Sequence, residues 1–490
     1  MALTPTLDTA RPADQSHRSR WWVLTVIALA QLMVMLDATV VNIALPSAQT
    51  DLGFADSSRQ WVITAYALAF GSLLLLGGRI SDMFGRRAAM MTGLIGFAAA
   101  SALGGAAHTF GYLIAARVLQ GAFAALLAPA ARSLLVTTFT EPAERAKAFG
   151  VFGAVAGAGG AIGLLLGGVL TQQLDWRWTM YINVGFAVVA LAGALTLLRP
   201  GVRDRSVRLD VPGTLLVSSG LFGIVYGLGN ADSHSWGAPE TWLPLVAGVV
   251  LLAVFARWQT RARQPLLPLR IIVDRTRGAS YLTMMVIGAG TFGVFLFLTY
   301  YLQQTLGYSP IRTGLAFLPM VVVMMVISIV TTTVLMPRVG PRPLVPLGLA
   351  LSAASLIWMT ALGVHSTYAA DVLPPLLLAG LGTGLAIAPA ISLPTHGVSE
   401  RDAGVASAAV NVMQQIGGSV GTALFNTMAT TAVSAYLADH PGPTPQVIAE
   451  AGVHGYTTAY WWAAGVFALG ALATLVLYRS GQVRGKALEV

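Results

Sequence analysis

Of 490 residues, 56% are hydrophobic and 10% are charged; an ordinary soluble domain is about a quarter charged, so a soluble globular fold is excluded in favour of a polytopic membrane protein. The net charge of +9 comes with no aromatic-interleaved basic patch, which argues against nucleic acid as a partner. The absence of cysteine excludes disulfides, thiolate metal sites and cysteine nucleophiles.

The first twenty residues are polar and carry Arg18 and Arg20 just before the first apolar run. That run is too long for the core of a signal peptide, and many more follow, so it reads as a membrane span. Breaking the chain at polar positions gives spans at 21–45, 59–78, 88–107, 110–134, 146–170, 177–198, 211–230, 241–258, 278–302, 312–336, 343–363, 371–395, 403–432 and 456–478. That makes fourteen runs, most about twenty residues long, which matches a roughly 30 Å hydrocarbon layer crossed at 1.5 Å per residue. Barrel strands would alternate and be about half as long, so the spans are helices. The stretch 436–455, with Pro441, Pro443 and Pro445, reads as an exposed loop.

Basic residues set the orientation. With the N-terminus in the cytoplasm, the cytoplasmic segments hold three, three, three, four, six, two, one and three of them in chain order, 25 of the 29. Arg59, Arg177 and Arg312 fall at outer ends and Arg117 lies inside a span. Both termini are therefore expected in the cytoplasm of a cell inner (plasma) membrane.

The loop after span 2, Asp82-Met83-Phe84-Gly85-Arg86-Arg87, is echoed after span 10 by Pro337-Arg338-Val339-Gly340-Pro341-Arg342, with the glycine and the last arginine in register. Two related six-helix halves, 21–198 and 278–478, would place both loops between their second and third helices. The helix pair within 199–277 is then an insertion with basic linkers, and 1–20 and 479–490 are cytoplasmic tails. Parallel duplication around a central cavity is a known transporter plan.

From Trp21 to Leu45 the only charged side chain is Asp37, in the run Leu36-Asp37-Ala38-Thr39-Val40-Val41-Asn42-Ile43-Ala44-Leu45-Pro46. A carboxylate at that depth costs several kcal/mol on insertion scales and marks a functional site by default. Arg117 lies at a comparable depth, so the two are expected to face each other across a polar cavity. Burial and a neighbouring guanidinium act oppositely on a carboxyl group's proton affinity, which suits an exchangeable proton. A permanent ion pair is the alternative, but such pairs are weak stabilisers and are replaceable by apolar packing.

Three stretches together resemble the major facilitator superfamily, in its fourteen-helix drug/proton antiporter branch. They are Leu36–Pro46, the loop Gly78-Arg79-Ile80-Ser81-Asp82-Met83-Phe84-Gly85-Arg86-Arg87, and Leu113-Ile114-Ala115-Ala116-Arg117-Val118-Leu119-Gln120-Gly121. Trp176-Arg177-Trp178 through Asn183, Tyr301–Gln304 with Gly307–Pro310, and Gln414–Gly418 add to it. The resemblance implies an all-α membrane fold of fourteen helices. It also implies proton coupling at Asp37 and Arg117, and cytoplasmic gating by Gly78, Asp82, Gly85, Arg86 and Arg87, with Asp82 meeting the start of helix 13 near Asp402–Ala403. The helix 5 antiporter motif corresponds to Gly159, Gly163, Gly167 and Gly168, with Leu164 where the family has proline, which leaves a substrate/proton symporter open.

Asn42, Tyr66, Tyr300, Gln304, Asn411 and Gln414 are the candidate cavity-lining groups, aromatic and amide side chains suited to amphipathic molecules. The histidines fall in loops or at span ends, so no metal site is expected. No Walker sequence surrounds Lys147 or Lys486, and no other cofactor is implied. The reading is of a monomeric transporter, not an enzyme, exporting hydrophobic or amphipathic compounds by alternating access in exchange for protons. A non-transporting membrane receptor is the other class, and it needs neither Asp37 nor Arg117.

Overall fold

A computed structural model describes residues 17–198, 210–234, 237–262, 265–266, 274–395, 400–440, 442 and 444–478; the side chains of Asp82 and of residues 401–405 lie outside that description. Fifteen α-helices are found there: α1 (His17–Leu52), α2 (Gln60–Phe84), α3 (Arg86–Gly105), α4 (Phe110–Thr138), α5 (Pro142–Gln173), α6 (Trp178–Leu197), α7 (Val211–His234) and α8 (Pro239–Gln259). After these come α9 (Arg275–Tyr300), α10 (Pro310–Val330), α11 (Met336–Val339), α12 (Pro341–Met359), α13 (Leu373–Ser392), α14 (Glu400–Asp439) and α15 (Pro445–Leu477). A π-helical turn, Thr331–Leu335, runs α10 into the four-residue α11, and no strand occurs among the described residues. Among the described residues, eleven helical runs are long and apolar enough to cross a membrane.

Local chemistry explains the boundaries. Proline stands in the first turn of α5, α8, α10, α12 and α15, where its missing N–H costs nothing. The hydroxyls of Thr109, Ser309 and Thr444 accept backbone N–H groups of Tyr112, Arg312 and Val447, capping α4, α10 and α15. The expected loop at 436–455 is accordingly mostly helix: α14 runs to Asp439, and Pro445 with its Thr444 cap starts α15 instead of breaking the chain. Pro46 likewise falls inside α1, which extends to Leu52.

Helix pairing repeats along the chain. α1 packs on α4, α5 and α6, α3 on α4 and α6, and α2 on α4. The same pattern relates α9 to α13, α14 and α15, α12 to α13 and α15, and α10 to α13. Between the two sets the main contacts are reciprocal, α2 with α14 and α5 with α10. Gly85 (φ +94°) and Gly340 (φ +74°) occupy matching turns before α3 and α12, in a backbone region that a side chain disfavours.

α7 and α8 pack on each other, and α7 lies against both α2 and α14. Asp210 ties this pair together by accepting from the Gly213 N–H (2.9 Å), the Trp258 indole (2.7 Å) and the Gln259 amide (2.8 Å). Outward faces are apolar, with Val188 and Val189 on α6, Val249 and Val250 on α8, Val322 and Ile329 on α10, and Leu469 and Leu472 on α15 all exposed. Such a continuous apolar girdle suits lipid and not water. The two ends of the bundle are named below for the ends of α1, the His17 end and the Leu52 end.

Candidate functional site

Asp37, near the middle of α1, and Arg117, two turns into α4, meet with 0% and 1% of their surfaces exposed. Arg117 Nη1 donates to Asp37 Oδ2 at 2.7 Å. The other carboxylate oxygen accepts from Gln120 Nε2 at 3.0 Å and from Asn183 Nδ2 at 2.8 Å, so α6 joins the site. Gln120 also donates to the Ser101 hydroxyl of α3 at 2.8 Å. The guanidinium has partners of its own: Nε donates to the Val62 carbonyl at 2.9 Å, Nη1 to Gln120 Oε1 at 2.9 Å, and its carbon sits 4.5 Å from the centre of the Tyr66 ring. The pair is thus in direct contact and sealed by α1, α2, α3, α4 and α6, where the sequence suggested two groups facing across a cavity.

The guanidinium is anchored by more than the acid. Breaking a buried ion pair by removing one member costs about 3–5 kcal/mol when the survivor is stranded. Besides Asp37, Arg117 has a carbonyl, an amide oxygen and an aromatic face as partners. The Tyr66 hydroxyl and Asn183 Oδ1 are buried without a hydrogen-bond partner among the described residues, leaving polar capacity beside the pair.

The glycines of α5 fix this site mechanically. A Cβ on Gly159 would lie 2.9 Å from Met35 Cβ, one on Gly163 would strike the Thr39 hydroxyl, and one on Gly167 would lie 2.8 Å from the Val40 carbonyl. Met35, Thr39 and Val40 flank Asp37, so α5 lies directly on the turns that carry the acid. Gly168, in contrast, faces α10, where a Cβ would come within 2.7 Å of the Pro310 carbonyl and Ile311 Cα. Leu164 is fully buried and its carbonyl abuts Gly314 of α10. One helix therefore touches both the acid's helix and the opposite set.

Of the loop residues, Gly78 faces Pro129, which a Cβ added there would meet at 3.7 Å, Gly85 makes the turn into α3, Arg86 is half-buried, and Arg87 donates to the Leu195 carbonyl at 3.0 Å. The Asp82 side chain and its expected partners at Asp402–Ala403 lie outside the described residues. The six candidate cavity residues are spread over several places. Tyr66 joins the Asp37 group, and Asn42, on the same helix, donates to its own helix at Ala38 O. Tyr300 and Gln304 sit at the Leu52 end, the former donating to Gln49 and the latter exposed and accepting from Tyr456. Asn411 and Gln414, both half-buried, lie on α14 toward the His17 end.

Sequence reasoning gave no role to Gln120 or Asn183, although Gln120 stands three residues after Arg117 and hence on the same helix face. By sequence Arg132, in the fourth span, is one of the three basic residues of the third cytoplasmic group, with Arg145 and Lys147. It lies within α4 and donates to Asn411 Oδ1 of α14 at 3.3 Å, a contact between the two helix sets. Among the described residues no group of three or more His, Asp or Glu side chains is placed to hold a metal ion.

The family model described as Major Facilitator Superfamily matches residues 27–422. The chain belongs to this superfamily. Its relatives include the puromycin resistance protein of Streptomyces alboniger, 51% identical over 463 residues that cover 94% of this chain and 92% of that one. The cephamycin export protein of Amycolatopsis lactamdurans is 39% identical, covering 86% and 87%. Among solved structures, a bacterial homologue of the lysosomal transporter Spinster superposes with a TM-score of 0.68 at 16% identity, over 94% of this chain and 98% of that one. A D-xylose-proton symporter gives 0.65 at 16% identity over 96% and 99%. This major facilitator is accordingly an integral membrane transport protein, not an enzyme.

Proposed function

We propose that this transporter exports small amphipathic molecules of the antibiotic type across the plasma membrane by alternating access, drawing on the proton gradient through Asp37. The observation that carries this reading is the fully buried Asp37 carboxylate, held by Arg117, Gln120 and Asn183. A charge so placed is costly, and the alternative partners of Arg117 make its neutralisation bearable. Export is supported by the relatives that are named for resistance and export. The repeated helix pairing supports two six-helix halves, α1–α6 and α9–α15, with α7 and α8 inserted. Taking α10 and α11 as one span and adding α2, α5 and α14 to the eleven apolar runs supports a count of fourteen spans. The basic residues favour a cytoplasmic His17 end.

Coupling follows from α5. Protonation of Asp37 releases an ion pair on α1, and the α1 turns around Asp37 bear on Gly159, Gly163 and Gly167. A shift of α1 is passed through α5 to α10 of the other half, where Gly168 and Leu164 touch Ile311 and Gly314. The proline missing at Leu164 is not required by this link, which runs through close helix approach.

The test uses inverted membrane vesicles with an imposed proton gradient, following puromycin and a panel of neutral and cationic amphiphiles. The unsubstituted protein should take up substrate and release protons on substrate addition, and Asp37→Asn should do neither while still inserting. Full gradient-driven transport by Asp37→Asn would overturn the reading.

A further inference from the structure

At the Leu52 end a second buried arginine bridges the two halves. Arg59, the residue before α2, is 4% exposed. Its guanidinium carbon lies 4.4 Å from the centre of the Tyr300 ring, 5.6 Å from Phe297 and 5.8 Å from Tyr456. Nε donates to Asn426 Oδ1 at 3.0 Å. The nearest acid, Asp56, stands 3.9 Å away with 64% of its side chain exposed, too solvated to hold the charge by itself. A cation within about 6 Å of several ring centres is held by their negative faces, most strongly when desolvated.

The provenance of these groups matters. Phe297 and Tyr300 are on α9, Asn426 on α14 and Tyr456 on α15, all in the second half. Phe297 and Tyr456 are held within that half without Arg59: Phe297 lies 6.3 Å from the Tyr456 ring and 6.5 Å from Tyr460, and the Tyr456 hydroxyl donates to Gln304 at 3.2 Å. Arg59 belongs to the first half, as does Gln49, which accepts the Tyr300 hydroxyl. Separation of the halves at this end would withdraw Arg59 and leave three ring faces, a freed tyrosine hydroxyl and an amide oxygen lacking its donor.

We propose that Phe297, Tyr300, Tyr456 and Asn426 form a release site for organic cations with N–H donors, amidinium or alkylammonium, occupied here by the protein's own Arg59. When the Leu52 end opens, the exported cation takes the guanidinium's place; when it closes, Arg59 returns and displaces it outward. The tethered arginine acts as an internal competitor that keeps the cation from travelling back. This rests on the alternating-access export proposed above, but the site itself is tested without any gradient.

Purified full-length protein in detergent is titrated with 4′,6-diamidino-2-phenylindole, a fluorescent aromatic diamidine, and with Nile red, a neutral amphiphile. Arg59→Ala should bind the diamidine at least tenfold more tightly than the unsubstituted protein, with Nile red affinity changed less than twofold. Adding Tyr300→Leu to Arg59→Ala should abolish the gain, and Arg59→Lys should bind close to the unsubstituted level. No gain in Arg59→Ala, or an equal gain for Nile red, overturns the proposal. Should Arg59→Ala not fold, Tyr300→Leu alone decides: efflux of the diamidine from vesicles should fall at least fivefold against that of Nile red, and an equal fall in both overturns the proposal. These titrations are run without a proton gradient, and proton release is read separately in the vesicle experiment, so failure of this site is distinguished from failure of proton coupling.

Discussion

Arg117 reaches Asp37 at 2.7 Å with both side chains shut away from either end of the bundle. The pair is embedded within one helical set and does not span the two, so any movement it drives must be relayed. The relay on hand is α5, whose glycines bear on the Asp37 turns at one face and on α10 at the other.

Removing Arg117 alone leaves a buried carboxylate with only amide donors. Arg117→Gln should therefore lower stability by about 3–5 kcal/mol. Asp37→Asn should cost less, because the guanidinium keeps the Val62 carbonyl, Gln120 and the Tyr66 ring. The double variant should regain most of the stability lost in Arg117→Gln and none of the transport. Thermal unfolding in detergent and gradient-driven uptake measure the two effects, and additive losses in the double variant would refute a direct pair.

The proposed coupling runs through one carboxyl group, Asp37. One proton per substrate is expected, with transport of a monocation then electroneutral. Flux-ratio measurements at a series of imposed potentials check this: a neutral substrate should respond to the membrane potential and a monocation should not.

The α5 glycines differ in what surrounds them. A side chain at Gly163 drives into Thr39 and one at Gly167 into the Val40 backbone, whereas nothing lies within 4 Å of a Cβ at Gly160. Gly163→Leu and Gly167→Leu should reduce transport more than tenfold or prevent stable insertion, with overpacking costs of about 1–3 kcal/mol or more. Gly160→Ala should transport normally. Vesicle uptake normalised to inserted protein distinguishes them.

Asp210 holds α8 to α7 through Trp258 and Gln259. Asp210→Ala removes the shared acceptor of the Gly213 N–H, the Trp258 indole and the Gln259 amide and should destabilise by about 1–3 kcal/mol. The loss should appear as protease sensitivity between α8 and α9 at lower temperature than in the unsubstituted protein, with Asp37-dependent proton release preserved.

The hydrophobic runs, the basic asymmetry and Asp37 were legible in the sequence because each reports on transfer from water to lipid, a cost paid residue by residue. The matching turns at Gly85 and Gly340 were legible as well, since only glycine tolerates that backbone. Helix ends were less so: Pro445 reads as a breaker in isolation, yet at the first turn it starts α15. What the tertiary structure decided is partnership. That Asn183 and Gln120 complete the Asp37 site, that Arg132 reaches Asn411, and that Arg59 is buried among rings from the distant α9 and α15 depend on packing between segments up to several hundred residues apart. Lipid transfer treats all arginines alike; only the neighbours brought by the fold separate an arginine at a span end from one paired with a buried acid or one buried among aromatic rings.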